Sequence, residues 1–210
     1  NFDLYYQLSA GNLEIFCMHI DKGYLWMGTT TNGVYRLNID KKELTHPIRK
    51  GNITSFYRDS EGELWIGSWE EGLFHVKADG KIENFKYDAK NPHSLSSNFV
   101  RACCEDNLGN IWIGTFNGLN RYNKSTGLFQ NHTANDIQAD GLTHSSIWCI
   151  VKDNQGTLWL GTYFGGVNYF NPEYEIYTRH AYSSNEKKGL SNPVVGRTIE
   201  DKDGNLWIGT

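Results

Sequence analysis

The 210-residue sequence is poor in proline, in cysteine and in long apolar runs. Four cysteines are too few for a disulfide scaffold, and no Cys-x-x-Cys pair with partner ligands occurs. The longest apolar stretches, such as residues 147–151, fall far short of the roughly 20 residues that cross a bilayer. Any membrane contact or export signal is therefore expected in segments outside this sequence.

The sequence also lacks an excess of basic residues. It has 20 Lys and Arg against 24 Asp and Glu, which gives a net charge of −4 with both signs scattered along the chain. No basic stripe is available to neutralise phosphates. We therefore expect no nucleic-acid partner.

Glycine and aromatic residues are abundant instead. The chain has 22 Gly, 7 Trp, 12 Tyr and 10 Phe, and only 4 Pro. Aromatic residues favour strands, and glycine supplies the positive φ angles of tight turns. This balance predicts an all-β protein built from many short strands.

A seven-residue pattern, first seen as Gly23-Tyr-Leu-Trp-Met-Gly-Thr29, occurs five times. Its tryptophans follow one another at intervals of 39, 47, 47 and 48 residues, a period typical of propeller blades. Recurrence at a fixed register indicates that these side chains form the structural core of the repeat. The five tryptophans are Trp26, Trp65, Trp112, Trp159 and Trp207.

One repeat unit shows the expected blade. Residues 99–105 predict strand A, 111–115 strand B, 119–122 strand C and 128–132 strand D, with turns between them. Four antiparallel strands of this kind make one blade of a β-propeller. We predict an all-β partial ring of about four and a half blades, since the fifth unit stops after strand B. The alternative is a small closed ring in which residues 5–8 supply an outer strand to the final blade. The predicted units are 1–12 (the end of a preceding blade, with a strand at 5–8), 13–50, 51–95, 96–143, 144–190 and the incomplete 191–210.

Two positions of the innermost strand can be compared between the five repeat units. An aspartate opens each A-to-B turn, and the residue six positions earlier is always Ile or Val. The residue four positions earlier is small or a cysteine in four units, as close packing near a propeller axis requires, whereas Arg197 breaks that rule.

The motif Asp-x-x-Gly-Asn-Leu-Trp-Ile-Gly-Thr, followed by Gly-Leu-x-Arg-Tyr-Asn, resembles the two-component regulator propeller repeat. The best matches are residues 106–123 and 201–210. The resemblance implies the periplasmic sensor region of a Bacteroides-type hybrid two-component histidine kinase, which detects oligosaccharides to control polysaccharide utilisation. It also implies that the intact protein is a histidine kinase, and no kinase motif occurs in this segment.

Strand parity predicts where a ligand would bind. The B-to-C and D-to-A loops share one face of the blades, and these loops vary between units while the A-to-B turns are nearly uniform. Aromatic rings in the varied loops are candidates for stacking on sugars, and polar side chains for bonding hydroxyls or an acidic group. Aromatic residues just after strand B can also wedge between blades, and this alternative stays open. The candidates are Trp69, Phe116, Tyr163 and Phe164 for stacking, and Glu70, Glu71, Arg101 and Asn117 for polar contacts.

No cofactor, metal or catalytic site is expected. The seven histidines lie in different strands and loops without ligand spacing, and the calcium-like run 201–205 recurs elsewhere as a simple turn. Cys17 and Cys149 occupy non-adjacent blades, and Cys103 and Cys104 point to opposite faces of one strand, so all four are interpreted as small buried hydrophobes.

Three functions compete at this stage. The leading hypothesis is an extracytoplasmic oligosaccharide sensor without enzymatic activity in this segment. The second is a scaffold for protein interaction or homodimerisation, and the third is a propeller enzyme such as a lyase or hydrolase. Further blades of the same protein are expected partners in every case.

Overall fold

The computed structural model describes residues 13–134, 141–173, 176–180, 182–183 and 189–210, with the backbone alone for 176–179. The strand predicted at 5–8 lies outside the described residues. None of the described residues forms a helix long and apolar enough to cross a membrane.

Eighteen strands in the described residues form four complete sheets and one two-stranded sheet. Blade 1 contains β1 (Ile15–Asp21), β2 (Tyr24–Thr29), β3 (Val34–Asn38) and β4 (Leu44–Ile48). Blade 2 contains β5 (Asn52–Arg58), β6 (Leu64–Trp69), β7 (Leu73–Val76) and β8 (Ile82–Phe85). Blade 3 contains β9 (Val100–Glu105), β10 (Ile111–Thr115), β11 (Gly118–Asn123) and β12 (Leu128–His132). Blade 4 contains β13 (Ile147–Lys152), β14 (Leu158–Thr162), β15 (Val167–Asn171) and β16 (Ile176–His180). Blade 5 contains β17 (Arg197–Glu200) and β18 (Leu206–Gly209).

Each blade is an antiparallel meander whose strands pair in chain order. The first strands of successive blades contact one another, from β1 through β5, β9 and β13 to β17. Among the described residues the sheets form an arc and not a closed ring. The predicted fold class, a partial propeller of four-stranded blades, is confirmed.

The A-to-B turn and the repeated tryptophan are joined by one aspartate. In blade 3, Asp106 Oδ1 accepts hydrogen bonds from the backbone N–H groups of Leu108 and Asn110, both at 2.9 Å. Its Oδ2 accepts a bond of 2.7 Å from the Trp112 indole N–H. Because the carboxylate satisfies both the turn and the indole, the aspartate and the tryptophan recur six residues apart. The same indole bond occurs in blades 2, 4 and 5.

Blade 1 departs from the predicted uniformity of these turns. Its A-to-B turn has only two residues, Lys22 and Gly23, with φ angles of 46° and 79°. Positive φ at both positions is typical of a type I′ hairpin turn. Asp21 therefore lies one residue closer to Trp26, and it forms an ion pair with Arg58 of blade 2 instead of an indole bond.

The hydrophobic core lies between blades. One cluster joins Trp65 of blade 2 to Val100, Ile111 and Tyr122 of blade 3. A second joins Trp112 of blade 3 to residues of blade 4, and a third joins Trp26 of blade 1 to residues of blade 2. The tryptophan column thus packs each blade against the next.

In blades 1 to 4, the glycine that follows the repeated tryptophan by two residues makes room for the next blade. A Cβ atom on Gly114 would lie 2.7 Å from Ile147 Cγ2, in the innermost strand of blade 4. Gly28 meets Ile53 and Gly161 meets Val195 in the same way, at 2.6 Å and 2.7 Å. The repeated glycine of one blade therefore packs against the repeated Ile or Val of the next blade.

We expect Gly114→Ala to lower the free energy of unfolding by about 1–3 kcal/mol, because the added methyl overpacks this contact. Gly196→Ala is the matched control, since its Cβ would meet only Gly209 O at 3.9 Å and its φ is not positive. Urea unfolding of both variants measures the difference. Equal stability of the two variants would contradict the packing role of Gly114.

Candidate functional site

In each of the four complete blades, the innermost strand carries one residue more than the strand it pairs with. In blade 3, Val100 pairs with Thr115 and Ala102 with Gly114, which leaves Arg101 unpaired in a β-bulge. The same bulge occurs in the other three complete blades. A bulge bends the strand and re-aims the extra side chain. The four bulge residues are Phe16, Thr54, Arg101 and Trp148.

All four bulge residues line one cleft with a volume of about 650 Å³. The cleft runs along the innermost strands of the five blades, and Trp69 at the end of β6 also lines it. Its chemistry differs from blade to blade because the bulge residue differs, while the flanking positions repeat. A constant scaffold therefore presents a variable set of side chains.

Arg101 lies at the centre of an aromatic group. Its guanidinium carbon is 3.9 Å from the ring centroid of Trp148, 4.8 Å from that of Trp69 and 5.6 Å from that of Phe116. These are cation–π distances. Nη1 donates a hydrogen bond of 3.1 Å to Ser146 Oγ, and Nε has no acceptor among the described residues. Burial holds the pKa of Arg101 below its usual value.

Two groups of aromatic rings, bridged by Arg101, extend across three blades. Phe99 meets Trp69 edge-on, with centroids 5.2 Å apart, and lies 6.1 Å from Phe116. On the other side, Trp148 lies 5.8 Å from Tyr163, which contacts Phe164 at 4.2 Å. We call this set the arginine–aromatic cluster: Arg101, Trp69, Phe99, Phe116, Trp148, Tyr163 and Phe164.

The loops that carry the cluster are held in place by repeated hydrogen bonds. In each complete blade, a glycine N–H in the B-to-C loop donates to a carbonyl in the D-to-A segment of the next blade, as Gly118 does to Ser145 at 2.7 Å. The Thr or Ser that ends the repeated motif donates its hydroxyl to the same loop, as Thr115 does to Gly118 O at 2.9 Å. The two kinds of loop therefore lie together on one face, as strand parity predicts.

The structure brings five of the eight predicted ligand residues together. Trp69, Arg101, Phe116, Tyr163 and Phe164 all belong to the arginine–aromatic cluster. Phe116 and Phe164 are 51% and 55% exposed, so neither is buried between blades. Trp69, in contrast, both lines the cleft and packs against Phe99 of the next blade, which combines the two interpretations left open above.

The other three predicted residues lie apart from the cleft. Glu71 forms ion pairs with Lys50 at 2.8 Å and Lys86 at 2.7 Å, and hydrogen bonds from these lysines hold its pKa below the usual value. Glu70 is exposed and has a φ of 103°. Asn117 is exposed on the loop after β10. None of the three lines the cleft.

Phe99 and Trp148 belong to the site although the sequence did not point to them. Trp148 stands five residues before its turn aspartate, in the same column as Arg101 and Phe16. A comparison of this position between the repeat units would have shown that its residue type varies. Strict alternation along a strand would turn this residue away from the positions on either side, but Trp148 stands in a bulge and lines the cleft together with Cys149.

The repeated tryptophans lie in three kinds of surroundings. Trp26, Trp65 and Trp112 are buried between blades, and Trp159 is partly buried and stacked on Tyr169 at 4.5 Å. Trp207 is 64% exposed, because no described strand packs over β18 on that side.

One group in the described residues has the geometry of a metal site. The ligand atoms of Asp59, Glu63 and His75 lie within 4.8 Å of one another. Asp59 Oδ2 already accepts bonds from the Trp65 indole and from the Lys124 ammonium, both at 2.9 Å, and Oδ1 accepts from two backbone N–H groups. Because the lysine supplies the positive charge, we assign this group a structural role.

The cysteines are free thiols, with Cys103 and Cys104 buried and Cys17 and Cys149 partly buried. Burial raises the pKa of Cys17 and of Cys104 to about 11. The thiolate is the reactive form of cysteine, so these side chains are inert packing groups at neutral pH.

Four-stranded antiparallel blades whose inner strands line a common cleft define a segment of a β-propeller. Four stretches of the chain, residues 47–70, 94–117, 141–164 and 189–210, match the family described as Two component regulator propeller. Each of these four stretches carries the repeat of this family. Comparison with curated proteins finds no match.

Solved structures from B. thetaiotaomicron are similar to the chain. The extracellular domain of a proposed one component system is 25% identical with a TM-score of 0.75, and 98% of this chain covers 27% of that one. The extracellular domain of a proposed hybrid two component system is 27% identical with a TM-score of 0.74, and 94% of this chain covers 26% of that one. The chain therefore spans about a quarter of the length of these relatives.

A catalytically inactive virginiamycin B lyase from Staphylococcus aureus shares the fold. It is 16% identical with a TM-score of 0.68, and the match covers 97% of this chain and 65% of that one. At this identity the likeness concerns the architecture alone.

Proposed function

We propose that this chain is a ligand-sensing part of the periplasmic region of a hybrid two-component signalling protein, and that its ligand is an oligosaccharide. The observation that carries the proposal is the arginine–aromatic cluster, of which Trp69, Arg101 and Trp148 line a cleft of about 650 Å³. Ligand sites are concave, mostly apolar and furnished with a few polar groups, and this cleft has that character. The similarity to extracellular domains of proposed one component and hybrid two component systems supports a sensor outside the cytoplasm.

Aromatic rings are suited to sugars because a ring plane offers apolar area and a polarised face to C–H groups. Phe116 and Phe164 keep about half of their surface exposed beside the cleft, where a saccharide can reach them. No nucleophile–base pair and no group placed for acid–base chemistry is part of the cluster. Binding without catalysis is therefore the role that these side chains support.

We propose that further blades of the same protein cover the two ends of the arc. Met18 and Ile20 on β1 are 64% and 69% exposed, and Ile199 on β17 and Trp207 on β18 are 66% and 64% exposed. Equivalent tryptophans in blades 1 to 3 are buried against the following blade. A longer form of the protein in which Trp207 stays as exposed as here would contradict this proposal.

Calorimetric titration of the protein's whole extracytoplasmic region with a panel of neutral and acidic oligosaccharides tests the sensor function. We expect one saccharide class to bind, and Phe116→Ala to weaken it by at least about tenfold, which corresponds to 1.4 kcal/mol. Leu108→Ala is the matched control, because Leu108 is a 61% exposed apolar residue in an A-to-B turn on the opposite face.

Two outcomes would overturn the sensor proposal. Absence of heat with every saccharide, together with a stable complex with another protein or a second copy of the chain, would favour the scaffold function. Appearance of a cleaved product during the titration would favour an enzyme.

A further inference from the structure

The described residues that line the cleft carry positive charge only. Arg101 and Arg197 are among them, and no described aspartate or glutamate is. The whole chain has more acidic than basic residues, 24 against 20, so a cleft with two arginines and no carboxylate departs from the composition of the protein. A concave, partly apolar surface with charge of one sign raises the local concentration of ligands of the opposite sign.

Arg101 has no counter-charge among the residues that the structure describes. No carboxylate lies within 4.0 Å of its guanidinium, and its neighbours are three aromatic rings and the Ser146 hydroxyl. Some other partly buried cations are neutralised, as Arg58 is by Asp21 and Lys124 by Asp59 and Glu105. Arg36 and Arg121 also lack a carboxylate partner among the described residues, but neither lines the cleft. Burying a charge without a partner costs free energy, so its presence in a cleft points to a partner from outside.

The hydrogen bonds of Arg101 are also incomplete. A guanidinium has five N–H donors in a planar fork that matches the two oxygens of a carboxylate or sulfate. Ser146 Oγ accepts from Nη1, and the buried Nε–H lacks an acceptor in the described part of the chain. An oxyanion on the other N–H groups of the fork would supply the missing negative charge.

We propose that the cleft binds an acidic saccharide, with its carboxylate or sulfate on Arg101 and its ring against Trp148 and Phe116. This inference rests on the proposed function and names the class of its ligand. Arg197, which is exposed at the same cleft, contributes a second positive charge. Bidentate arginine–oxyanion bonds are about twice as strong as neutral hydrogen bonds, and the aromatic surroundings exclude competing water.

The test compares matched ligands on the whole extracytoplasmic region. The probes are an oligosaccharide of hexuronic acid, its carboxyl-reduced neutral counterpart and a sulfated oligosaccharide, each titrated by calorimetry at low and at high salt. We expect an acidic probe to bind at least about tenfold more tightly than the neutral counterpart, and more weakly at high salt. Binding of the sulfated probe alone identifies sulfate as the anion and supports the proposal equally.

Variants locate the anion. Arg101→Met keeps an apolar stem and is expected to weaken the acidic probe by about ten- to a hundredfold, the effect of truncating one strong charged contact. Arg121→Met is the matched control, because Arg121 also lies over a tryptophan, with Cζ 6.0 Å from the Trp112 ring, but does not line the cleft. Arg197→Met, at an exposed position, is expected to fold normally and to weaken the acidic probe by a smaller factor.

A structural role for Arg101 would give a different signature. Since Arg101→Met removes an unpaired buried charge, we expect its unfolding midpoint to equal or exceed that of the parent while binding is lost. If the neutral counterpart binds as tightly as the acidic probe, or if Arg101→Met folds and binds the acidic probe normally, the charge inference is wrong and the sensor function stands. If no saccharide binds the parent, the proposed function itself fails.

Discussion

Replacing Lys124 with methionine is expected to lower the free energy of unfolding by about 3–5 kcal/mol, the cost of removing one partner from a buried ion pair. The Lys124 ammonium, from the turn after β11 in blade 3, lies 2.9 Å from Asp59 Oδ2 and 2.9 Å from Glu105 Oε1. The two carboxylate side chains are 0% and 7% exposed. Without the lysine, both negative charges would stay buried beside each other.

This network joins blades 2 and 3. Asp59 belongs to the A-to-B turn of blade 2, and the neighbouring Ser60 donates its N–H and its hydroxyl to Glu105 of blade 3, at 2.7 Å and 2.9 Å. Loss of Lys124 therefore affects the contact between blades as well as one turn. Unfolding in urea, followed by tryptophan fluorescence, measures the loss.

Lys81→Met is the matched control. Lys81 also pairs with a glutamate at 2.9 Å, Glu83, but its side chain is 64% exposed. Exposed ion pairs contribute about 0–1 kcal/mol, so this variant should unfold nearly as the parent does. Similar losses in the two variants would show that burial of the Lys124 network has no energetic consequence.

A second measurement on Lys124→Met uses acid. Burial raises the pKa of Asp59, but hydrogen bonds from the Trp65 indole, the Glu63 backbone and Lys124 outweigh it, so the net pKa lies below the usual value. A depressed carboxyl pKa contributes stability that is present above the unfolded value of about 3.9 and is lost as pH falls through the folded value. Removing Lys124 removes a contact that lowers the pKa of Asp59, so this pKa should rise. The acid-unfolding midpoint should therefore move to higher pH.

The architecture could be predicted because its causes are local and repeated. Trp112, the glycine two residues later and the aspartate six residues earlier each make one contact that recurs in other blades. Because the pattern occurs five times, the shared positions can be recognised even where a single unit deviates. The two-residue turn at Lys22 and Gly23 is such an exception, and it became clear only from the backbone angles.

The site could be predicted only in part, because it depends on register and not on composition. The aromatic residues after strand B were visible, since they follow a repeated motif at a fixed distance. Arg101 was visible only as a nearby polar group, and Trp148 was missed, because a β-bulge places both in the cleft. Glu71 was predicted as a ligand residue, but two lysines distant in sequence neutralise it.

The repeated tryptophan allows the same truncation to be compared at a buried and at an exposed position of the motif. Trp65→Ala is expected to lower the free energy of unfolding by about 3–5 kcal/mol, the usual cost of truncating a fully buried tryptophan. Trp65 is 0% exposed, stacks on His75 at 3.7 Å and donates its indole N–H to Asp59. Its removal would open a cavity between blades 2 and 3 and leave Lys124 as the remaining partner of Asp59 Oδ2.

Trp207→Ala in the same 210-residue chain is the control. Trp207 makes the same indole bond, to Asp201 at 2.9 Å, but its side chain is 64% exposed. Truncation of an exposed side chain usually changes stability by about 0.5 kcal/mol or less. Thermal and urea unfolding of both variants, at matched protein concentration, gives the difference that burial between blades makes.

The comparison also shows whether the exposed face of blade 5 has a partner. If Trp207→Ala destabilises the chain as much as Trp65→Ala does, another surface must cover Trp207 in solution, and the effect should grow with protein concentration when that surface belongs to a second copy. If Trp207→Ala leaves the stability of this chain unchanged but destabilises a longer form of the protein, the covering surface is a further blade. A small loss for Trp65→Ala would contradict the interblade core itself, because the tryptophan column is what packs each sheet against the next.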